Sequence, residues 1–247
     1  MKILATYNIK GGVGKTATAV NLSYLAARDG LRVLLADLDP QAAATYTLRV
    51  RPRVKGGGKA LITGSRELDA AIKGTDFGNL DLLPADFTFR NLDLMLDATK
   101  KPTQRLARLL RPLHASYDLV FLDCPPGISL LSESVLHAAD LALVPIIPTT
   151  LSLRTLDQLT EFISDFDGPR PEVLAFSSMI DRRKRLHKEI AERLPAERKD
   201  VADTAIPALS MIEQMSVRRA PVAAFAPRSA AARAYAQLWA EVRDRLF

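Results

Sequence analysis

Short apolar runs recur along the chain and alternate with longer segments in which apolar residues return every three or four positions. The short runs are continuous, which is typical of strands buried on both faces of a parallel sheet. They predict strands at 2–8, 32–39, 80–85, 117–125, 140–147 and 172–180. The longer segments predict helices at 15–28, 102–114, 130–139, 151–166, 184–194 and 229–246.

This alternation predicts an α/β fold, a mainly parallel twisted sheet with helices on both faces. The sequence shows no internal repeat and no clear domain boundary, so we expect residues 1–247 to form a single domain. Residues 49–66 have two positive clusters, a glycine triplet and weak periodicity, and they predict a basic loop or insertion. The final helix carries its apolar side chains at core-facing spacing and is expected to dock on the core: Tyr235, Leu238, Trp239, Val242 and Leu246.

Composition narrows the class of protein. One cysteine, Cys124, excludes a disulfide framework, and we expect it to be a buried packing residue. No run reaches the ~18 apolar residues of a membrane span, and the N-terminal stretch is too short for a signal peptide. We therefore expect a cytoplasmic protein without stable membrane insertion. The net charge of +6 favours an anionic partner. The charge alone does not distinguish between a phosphate ligand, nucleic acid, acidic lipid and an ordinary solvated surface without such a partner.

Residues 8–16, NIKGGVGKT, join the first strand to the first helix and end as a phosphate-binding loop does. Glycines without Cβ atoms allow backbone N–H groups to converge on phosphate oxygens at a helix N-terminus. Lys15 would reach the β- and γ-phosphates, and the Thr16 hydroxyl would reach Mg²⁺. Ile9 replaces the leading glycine of the strict motif, and the motif does not explain Lys10. The predicted nucleotide-binding residues of the loop are Gly11, Gly12, Val13, Gly14, Lys15, Thr16 and Ala17.

Three aspartates follow apolar strands. Asp37 and Asp39 end the second predicted strand, and Asp123 ends a later one. Ligands of open parallel sheets bind outside the carboxyl ends of the strands, so these acids are expected beside the loop. Asp123 suits the usual Mg²⁺ carboxylate of such folds. Helix capping and turn formation before Pro40 are the alternative for Asp37 and Asp39.

Three stretches together resemble one family. KGGVGKT (10–16), DLDPQ (37–41) and DCPPG (123–127) are similar to the signatures of the ParA/MinD family of deviant Walker-type P-loop ATPases. The chain is most similar to the small ParA/Soj type, which has no helix-turn-helix before the loop. The resemblance implies that Lys10 reaches across an ATP-dependent sandwich dimer to the partner's phosphates. It also implies that Asp39 positions the attacking water and that Asp37 supports the Mg²⁺ shell.

The resemblance covers nearly the whole chain, with weaker matches after residue 180. FSSMIDRR (176–183) resembles the Met-x-Asp-x-Arg stretch of ParA proteins, and TAIP (204–207) resembles the segment whose proline lies against adenine. Met179 and Pro207 are the candidate nucleotide contacts in these segments. IPAL in place of Ile-Pro-Arg-Asn departs from the family at this point. In such proteins, basic residues in the C-terminal part of the chain bind DNA without sequence preference. The candidates here are Arg182, Arg183, Arg185, Lys188, Arg218 and Arg219, with a solvated charged face as the alternative.

The resemblance implies a Mg²⁺-dependent ATP hydrolase with Lys10, Lys15 and Asp39 as catalytic residues and Thr16, Asp37 and Asp123 as the metal set. It would form an ATP-dependent homodimer on the nucleoid, bind DNA non-specifically and position a plasmid, chromosome region or protein organelle such as a carboxysome. A ParB-like or cargo-adaptor protein would stimulate hydrolysis. A MinD-like membrane regulator and a small-molecule ligase related to dethiobiotin synthetase are the alternatives. The lone Cys124 argues against the nitrogenase iron protein, which needs two cysteines per subunit.

Overall fold

A computed structural model describes residues 1–63 and 65–247. In these residues seven strands form one sheet in the order β3-β4-β2-β5-β1-β6-β7, and only β3 runs antiparallel to its neighbour. The strands are β1 (Lys2–Thr6), β2 (Val33–Asp37), β3 (Lys73–Gly74), β4 (Leu80–Leu83), β5 (Leu119–Asp123), β6 (Leu141–Ile146) and β7 (Glu172–Ser177). The predicted α/β class and all six predicted strands are confirmed, each one to three residues shorter at one or both ends.

Helices cover both faces of the sheet. One face carries α1 (Lys15–Arg28), α2 (Ala43–Thr47), α10 (Ser210–Arg218), α11 (Val222–Phe225) and α12 (Ala230–Leu246). The other carries α3 (Gly57–Thr63), α4 (Ser65–Ala71), α5 (Leu92–Asp97), α6 (Arg105–Leu110), α7 (Leu130–Ala138), α8 (Thr150–Ser164) and α9 (Arg185–Glu197). Each face therefore buries its own apolar cluster against the sheet.

The first helix has the bounds that its sequence predicts, residues 15–28. The predicted helix 102–114 is instead a short 3₁₀ turn, the six-residue α6 and a second 3₁₀ turn over Arg111–Ala115. Pro112 lies in that second turn, and proline lacks the N–H that a continuing α-helix needs. A further 3₁₀ turn, Phe87–Asn91, and the helices α2, α5, α10 and α11 were not predicted.

The prediction of a loop at 49–66 was partly wrong. Residues 49–56 are irregular after α2, but 57–63 form α3 and Ser65 begins α4; position 64 lies outside the described residues. The apolar side chains Leu61, Ile62 and Leu68 are buried in the core. Their burial stabilises two short helices, which the sequence analysis missed because the glycine triplet suggested a loop.

The expectation for the last helix is confirmed. Its five predicted core side chains are all buried, and α12 packs against α1. The indole N–H of Trp239 donates to the Asp29 carboxylate at 2.7 Å. Cys124 is buried as expected. Within the described part of the chain, none of the helices has both the length and the apolar character needed to cross a bilayer.

Candidate nucleotide and magnesium site

The loop of residues 8–14 leaves the carboxyl end of β1 and enters α1. Gly14 precedes the helix with φ of 97°, a left-handed conformation that glycine adopts without steric cost. A Cβ atom at this position would lie 3.0 Å from the Ser178 hydroxyl oxygen. The glycine therefore serves both the turn and the close approach of the loop to the end of β7.

Three side chains outside the glycine motif hold the loop. Asn8 donates from Nδ2 to the carbonyl oxygen of Pro145 at 2.8 Å and accepts from the backbone N–H of Lys10 at 2.9 Å. The Ser178 hydroxyl donates to the carbonyl oxygen of Val13 at 2.9 Å. The Tyr7 hydroxyl donates to the carbonyl oxygen of Gly127 at 2.8 Å. Asn8, Ser178 and Tyr7 were missed in the sequence, although Asn8 and Tyr7 adjoin the loop motif and Ser178 adjoins Met179.

The two loop lysines differ in their surroundings. Lys15 is buried, and its ammonium donates to the carbonyl oxygens of Lys10 at 2.9 Å and Asn8 at 3.3 Å. Burial lowers the pKa of Lys15, and the nearby Asp123 carboxylate opposes that shift. Lys10 is only half-buried, and within residues 1–63 and 65–247 its side chain forms no ion pair. The loop thus holds one lysine inside and presents the other at its rim.

The predicted acids meet beside the loop. Asp37 and Asp123 are register partners at the ends of β2 and β5, and both are fully buried. Burial raises the pKa of Asp37 to about 6, although hydrogen bonds from Thr45 and Asp39 oppose that shift. Burial and then the charge of Asp37 raise the pKa of Asp123 well above its usual range, while the neighbouring Thr16 hydroxyl lowers it. Ionisation of both carboxyls is therefore disfavoured unless a cation lies nearby.

The residues fit a magnesium ion. The Oδ2 atom of Asp123 is buried and has no hydrogen-bond partner among the described residues, and an unsatisfied carboxylate oxygen is a ligand that Mg²⁺ prefers. In the same described residues, no group of three or more His, Cys, Asp or Glu side chains forms a metal cage. Mg²⁺ sites of this kind use one or two carboxylates and complete the shell with phosphate and water.

Asp37 is more strongly engaged by protein than its sequence suggests. Its Oδ2 accepts from the Thr45 hydroxyl at 2.6 Å and from the Thr45 backbone N–H at 2.8 Å. Its Oδ1 accepts from the backbone N–H of Asp39 at 3.3 Å. Asp39 is half-buried, and its own carboxylate accepts the N–H of Gln41 at 2.9 Å. Asp37 thus anchors the segment that presents Asp39.

The candidate adenine contacts lie at the same end of the sheet. Ile180 pairs with Pro207 in an isolated parallel bridge, and the preceding Met179 is exposed with φ of 55°. Ser178 links this segment to the phosphate loop through Val13. The structure therefore brings Met179 and Pro207 together near the loop, and their contact with a base stays a prediction.

The candidate DNA residues form two separate groups in sequence and structure. Arg182, Arg183, Arg185 and Lys188 are exposed around the start of α9. Two of these form ion pairs, Arg183 with Asp181 at 3.0 Å and Arg185 with Glu189 at 2.6 Å. The second group ends α10.

In this second group the two arginines differ. Arg218 is exposed, whereas Arg219 is half-buried and donates from Nε to the carbonyl oxygen of Tyr46 at 3.0 Å. Its guanidinium lies 4.6 Å from the centre of the Tyr46 ring. Arg219 therefore has a structural partner as well as its predicted role.

Comparison with known proteins gives independent evidence about the family of this chain. A family model described as an AAA domain matches residues 1–173. The chromosome partitioning protein ParA of Caulobacter vibrioides is 34% identical, over 99% of this chain and 95% of the relative. The sporulation initiation inhibitor protein Soj of Bacillus subtilis is 32% identical, over 98% of both.

A solved structure is also similar to this chain. Cobyrinic acid a,c-diamide synthase from Mycobacterium smegmatis, with bound ATP analogue and magnesium, superposes with a TM-score of 0.83 at 28% identity, over 98% of this chain and 94% of the other. The loop, the buried acids and the full-length likeness to ParA and Soj lead to one assignment. The chain belongs to the ParA/MinD family of P-loop ATPases.

Proposed function

We propose that the protein is a positioning ATPase that hydrolyses ATP with Mg²⁺, dimerises around two ATP molecules and binds DNA without sequence preference. Lys10 carries this proposal. Its backbone is fixed on both sides, by the Asn8 side chain and by the Lys15 ammonium, while its own side chain stays at the rim of the loop. A cation held there is suited to a triphosphate bound by a second copy of the chain.

Each residue of the site then has a distinct task. The loop N–H groups and Lys15 bind the β- and γ-phosphates, and Thr16, Asp37 and Asp123 hold Mg²⁺, which neutralises charge on the phosphates. Asp39 orients the attacking water, whose oxygen bonds to the γ-phosphorus while the bond to the β–γ bridging oxygen breaks. Lys10 of the partner copy stabilises the negative charge that develops, as an arginine finger does. ADP and phosphate leave, and the dimer separates.

The output is a surface that exists only in the ATP-bound dimer. Relatives named for partitioning and sporulation support cargo positioning on the nucleoid, with a ParB-like or cargo-adaptor protein that stimulates hydrolysis. Dimerisation doubles the number of cations on one surface. With six to ten phosphate contacts, affinity for DNA falls by roughly 10³–10⁵ between 50 and 200 mM salt.

The decisive experiment measures binding to random-sequence duplex DNA with ATP, with ADP and without nucleotide. We expect salt-sensitive binding with ATP alone, and loss of that binding in the Arg182/Arg183/Arg185→Ala variant. The matched control replaces three other exposed cations, Lys100, Arg111 and Arg228, with alanine. Equal DNA binding in all nucleotide states would contradict an ATP-driven switch.

Two other functions give different results in the same series. A MinD-like regulator would sediment with phosphatidylglycerol vesicles in ATP, but the apolar face of α12 is buried on the core, which favours DNA.

A ligase would turn over ATP only with a small-molecule acceptor. The structural neighbour named as a synthase makes that assay worthwhile. Hydrolysis without any acceptor would rule out the ligase.

A further inference from the structure

The segment after α2 is unusually basic. Between Asp39 and Glu67 the sequence has no acidic residue and six basic ones, at positions 49, 51, 53, 55, 59 and 66. The function proposed above assigns no task to these residues. At the start of α9, by contrast, Asp181 and Glu189 pair with two of the arginines.

The irregular part of the segment is anchored to the core. Val54 is buried, and its backbone N–H donates to Oδ2 of Asp86 at 2.9 Å. The Thr88 hydroxyl donates to Oδ1 of Asp86 at 2.7 Å and accepts the N–H of Gly58 at 2.8 Å. Arg53 and Lys55, the exposed neighbours of Val54, are therefore held in defined positions on either side of an anchor.

These two cations line a cavity of about 590 Å³ together with Lys73 on the edge strand β3. We call Arg53, Lys55 and Lys73 the β3-edge cluster. Lys73 donates to the carbonyl oxygen of Ala70 at 2.9 Å, which fixes its ammonium at the rim. Within the described part of the chain, none of the three forms an ion pair. The acid of the cavity, Asp86, accepts backbone and hydroxyl hydrogen bonds at both oxygens. The cavity therefore favours an oxyanion.

The β3-edge cluster connects to the end of α10. Arg49 donates from Nε to the carbonyl oxygen of Arg219 and from Nη2 to that of Arg218, both at 3.1 Å. Arg49 is also ion-paired with Asp76 at 3.4 Å. The exposed residues Arg51, Arg53 and Lys55 continue the row of cations from there towards the cavity. An extended row of cations is better suited to a polyanion with repeated phosphates than to a single small anion.

We propose that the β3-edge cluster is a second DNA-contacting surface, which binds backbone phosphates beside those bound by Arg218. This inference rests on the proposed DNA binding. It extends the proposed DNA-contacting surface from the C-terminal residues to the β3 edge of the sheet. Contacts to backbone phosphates carry no sequence information, so the proposal predicts binding without sequence preference.

The test is the salt dependence of DNA binding with ATP present. Replacing Arg53, Lys55 and Lys73 together with alanine should lower the slope of log affinity against log salt by about 0.9 for each lost phosphate contact. Arg53→Lys with Lys55→Arg, which keeps the charges, should restore the slope. Should the triple variant fail to fold, Lys55→Ala alone should lower the slope by about 0.9.

The matched control removes the same charge elsewhere, through Lys100→Ala, Arg111→Ala and Arg228→Ala, all exposed. A smaller slope in the β3-edge variant and an unchanged slope in the control would support the proposal. Unchanged slopes in both, or equal losses in both, would overturn it while DNA binding by the C-terminal residues stands. If the unaltered protein ignores DNA in ATP, both this inference and the proposed function fail.

Discussion

Lys10 and Lys15 lie five residues apart on the same loop, yet their ammonium groups have different surroundings. Lys15 is buried against two loop carbonyls, and Lys10 is half-buried at the rim. Burial fixes Lys15 where phosphates enter, whereas a rim position leaves Lys10 able to reach another molecule. The proposed function therefore assigns nucleotide binding to Lys15 and turnover across the dimer to Lys10.

The first prediction uses this pair as its own control. Lys15→Ala should abolish ATP binding, because the phosphates lose the cation that the loop holds in place. Lys10→Ala should retain ATP binding in the monomer and lose dimerisation and stimulated hydrolysis. Titration with a fluorescent ATP analogue and sizing by light scattering measure both. Normal ATP affinity in Lys15→Ala would overturn the assignment of the loop.

The second prediction concerns Asp39. Asp39→Ala should bind ATP normally and accumulate as a dimer, because the water is no longer oriented while the phosphate contacts remain. We expect hydrolysis to fall by about 10²–10⁴-fold, the usual contribution of a general base. Phosphate release and light scattering are the measurements. Unchanged turnover in this variant would exclude a catalytic role for Asp39.

The third prediction concerns the buried acids and metal removal. Burial and the charge of Asp37 raise the pKa of Asp123, so ionisation of this carboxyl opposes folding near neutral pH. Asp123→Asn removes that ionisable group, and the variant without Mg²⁺ and ATP should have a higher free energy of unfolding than the unaltered protein. Mg²⁺ with ATP should then stabilise the variant much less than the unaltered protein. Thermal unfolding with and without EDTA tests this. Equal stabilisation of both by Mg²⁺ and ATP would contradict a metal role for Asp123.

At the scale of elements, α2 joins the site to the rest of the fold. Thr45 holds the Asp37 carboxylate, and its hydroxyl accepts the N–H of Ala85 after β4 at 2.9 Å. The next residue, Tyr46, contacts Arg219 at the end of α10. This five-residue helix therefore links β2, β4 and α10, although its sequence alone gives it little helical stability.

The fourth prediction tests that link. Thr45→Val removes the hydroxyl and leaves the Ala85 N–H and one Asp37 oxygen with fewer partners, which should cost about 1–3 kcal/mol. Thr45→Ser keeps the hydroxyl and should lose less. Urea unfolding measures both variants. If valine and serine have equal effects, the hydroxyl does not stabilise the junction.

The sequence was most informative where one pattern dominated. The strands form continuous apolar runs and α1 lies between a phosphate loop and Gly30, so their positions followed from periodicity and capping alone. α3 was missed because the glycines at 56–58 suggested a loop. The buried Leu61 and Ile62 stabilise α3 through contacts distant in sequence, which no local pattern records.

The residues of the site likewise divide into those that the sequence predicted and those that it did not. Lys15, Thr16, Asp37 and Asp123 follow from motifs at strand ends, where topology brings them together. Asn8, Thr45 and Ser178 support the site, and each makes a hydrogen bond to a backbone atom far along the chain, at Pro145, Ala85 and Val13 respectively. Such partners depend on the final geometry of neighbouring strands, so their residue types alone give no signal.

At the scale of the whole molecule, the nucleotide site and the cations occupy different parts of one sheet. The loop lies after the interior strand β1, the start of α9 follows the edge strand β7, and the β3-edge cluster lies at the opposite edge. Both edges are short or covered. β3 has two residues, and Val201 bridges to Ala175 of β7. Little open strand edge remains for pairing with another sheet.

The position of β1 between β5 and β6 also has a consequence for biosynthesis. Lys2 pairs with Leu119, and the other neighbour, β6, is synthesised later still. At about 5–20 residues per second, the first strand waits roughly 6–23 s on the ribosome before its partner exists. We expect chains arrested before β5 to remain fully protease-sensitive and chains that include β6 to gain protection. Early resistance in a chain ending near residue 100 would show that the amino-terminal part folds alone. Otherwise the ATP-binding loop, among the first segments made, is among the last to take its shape.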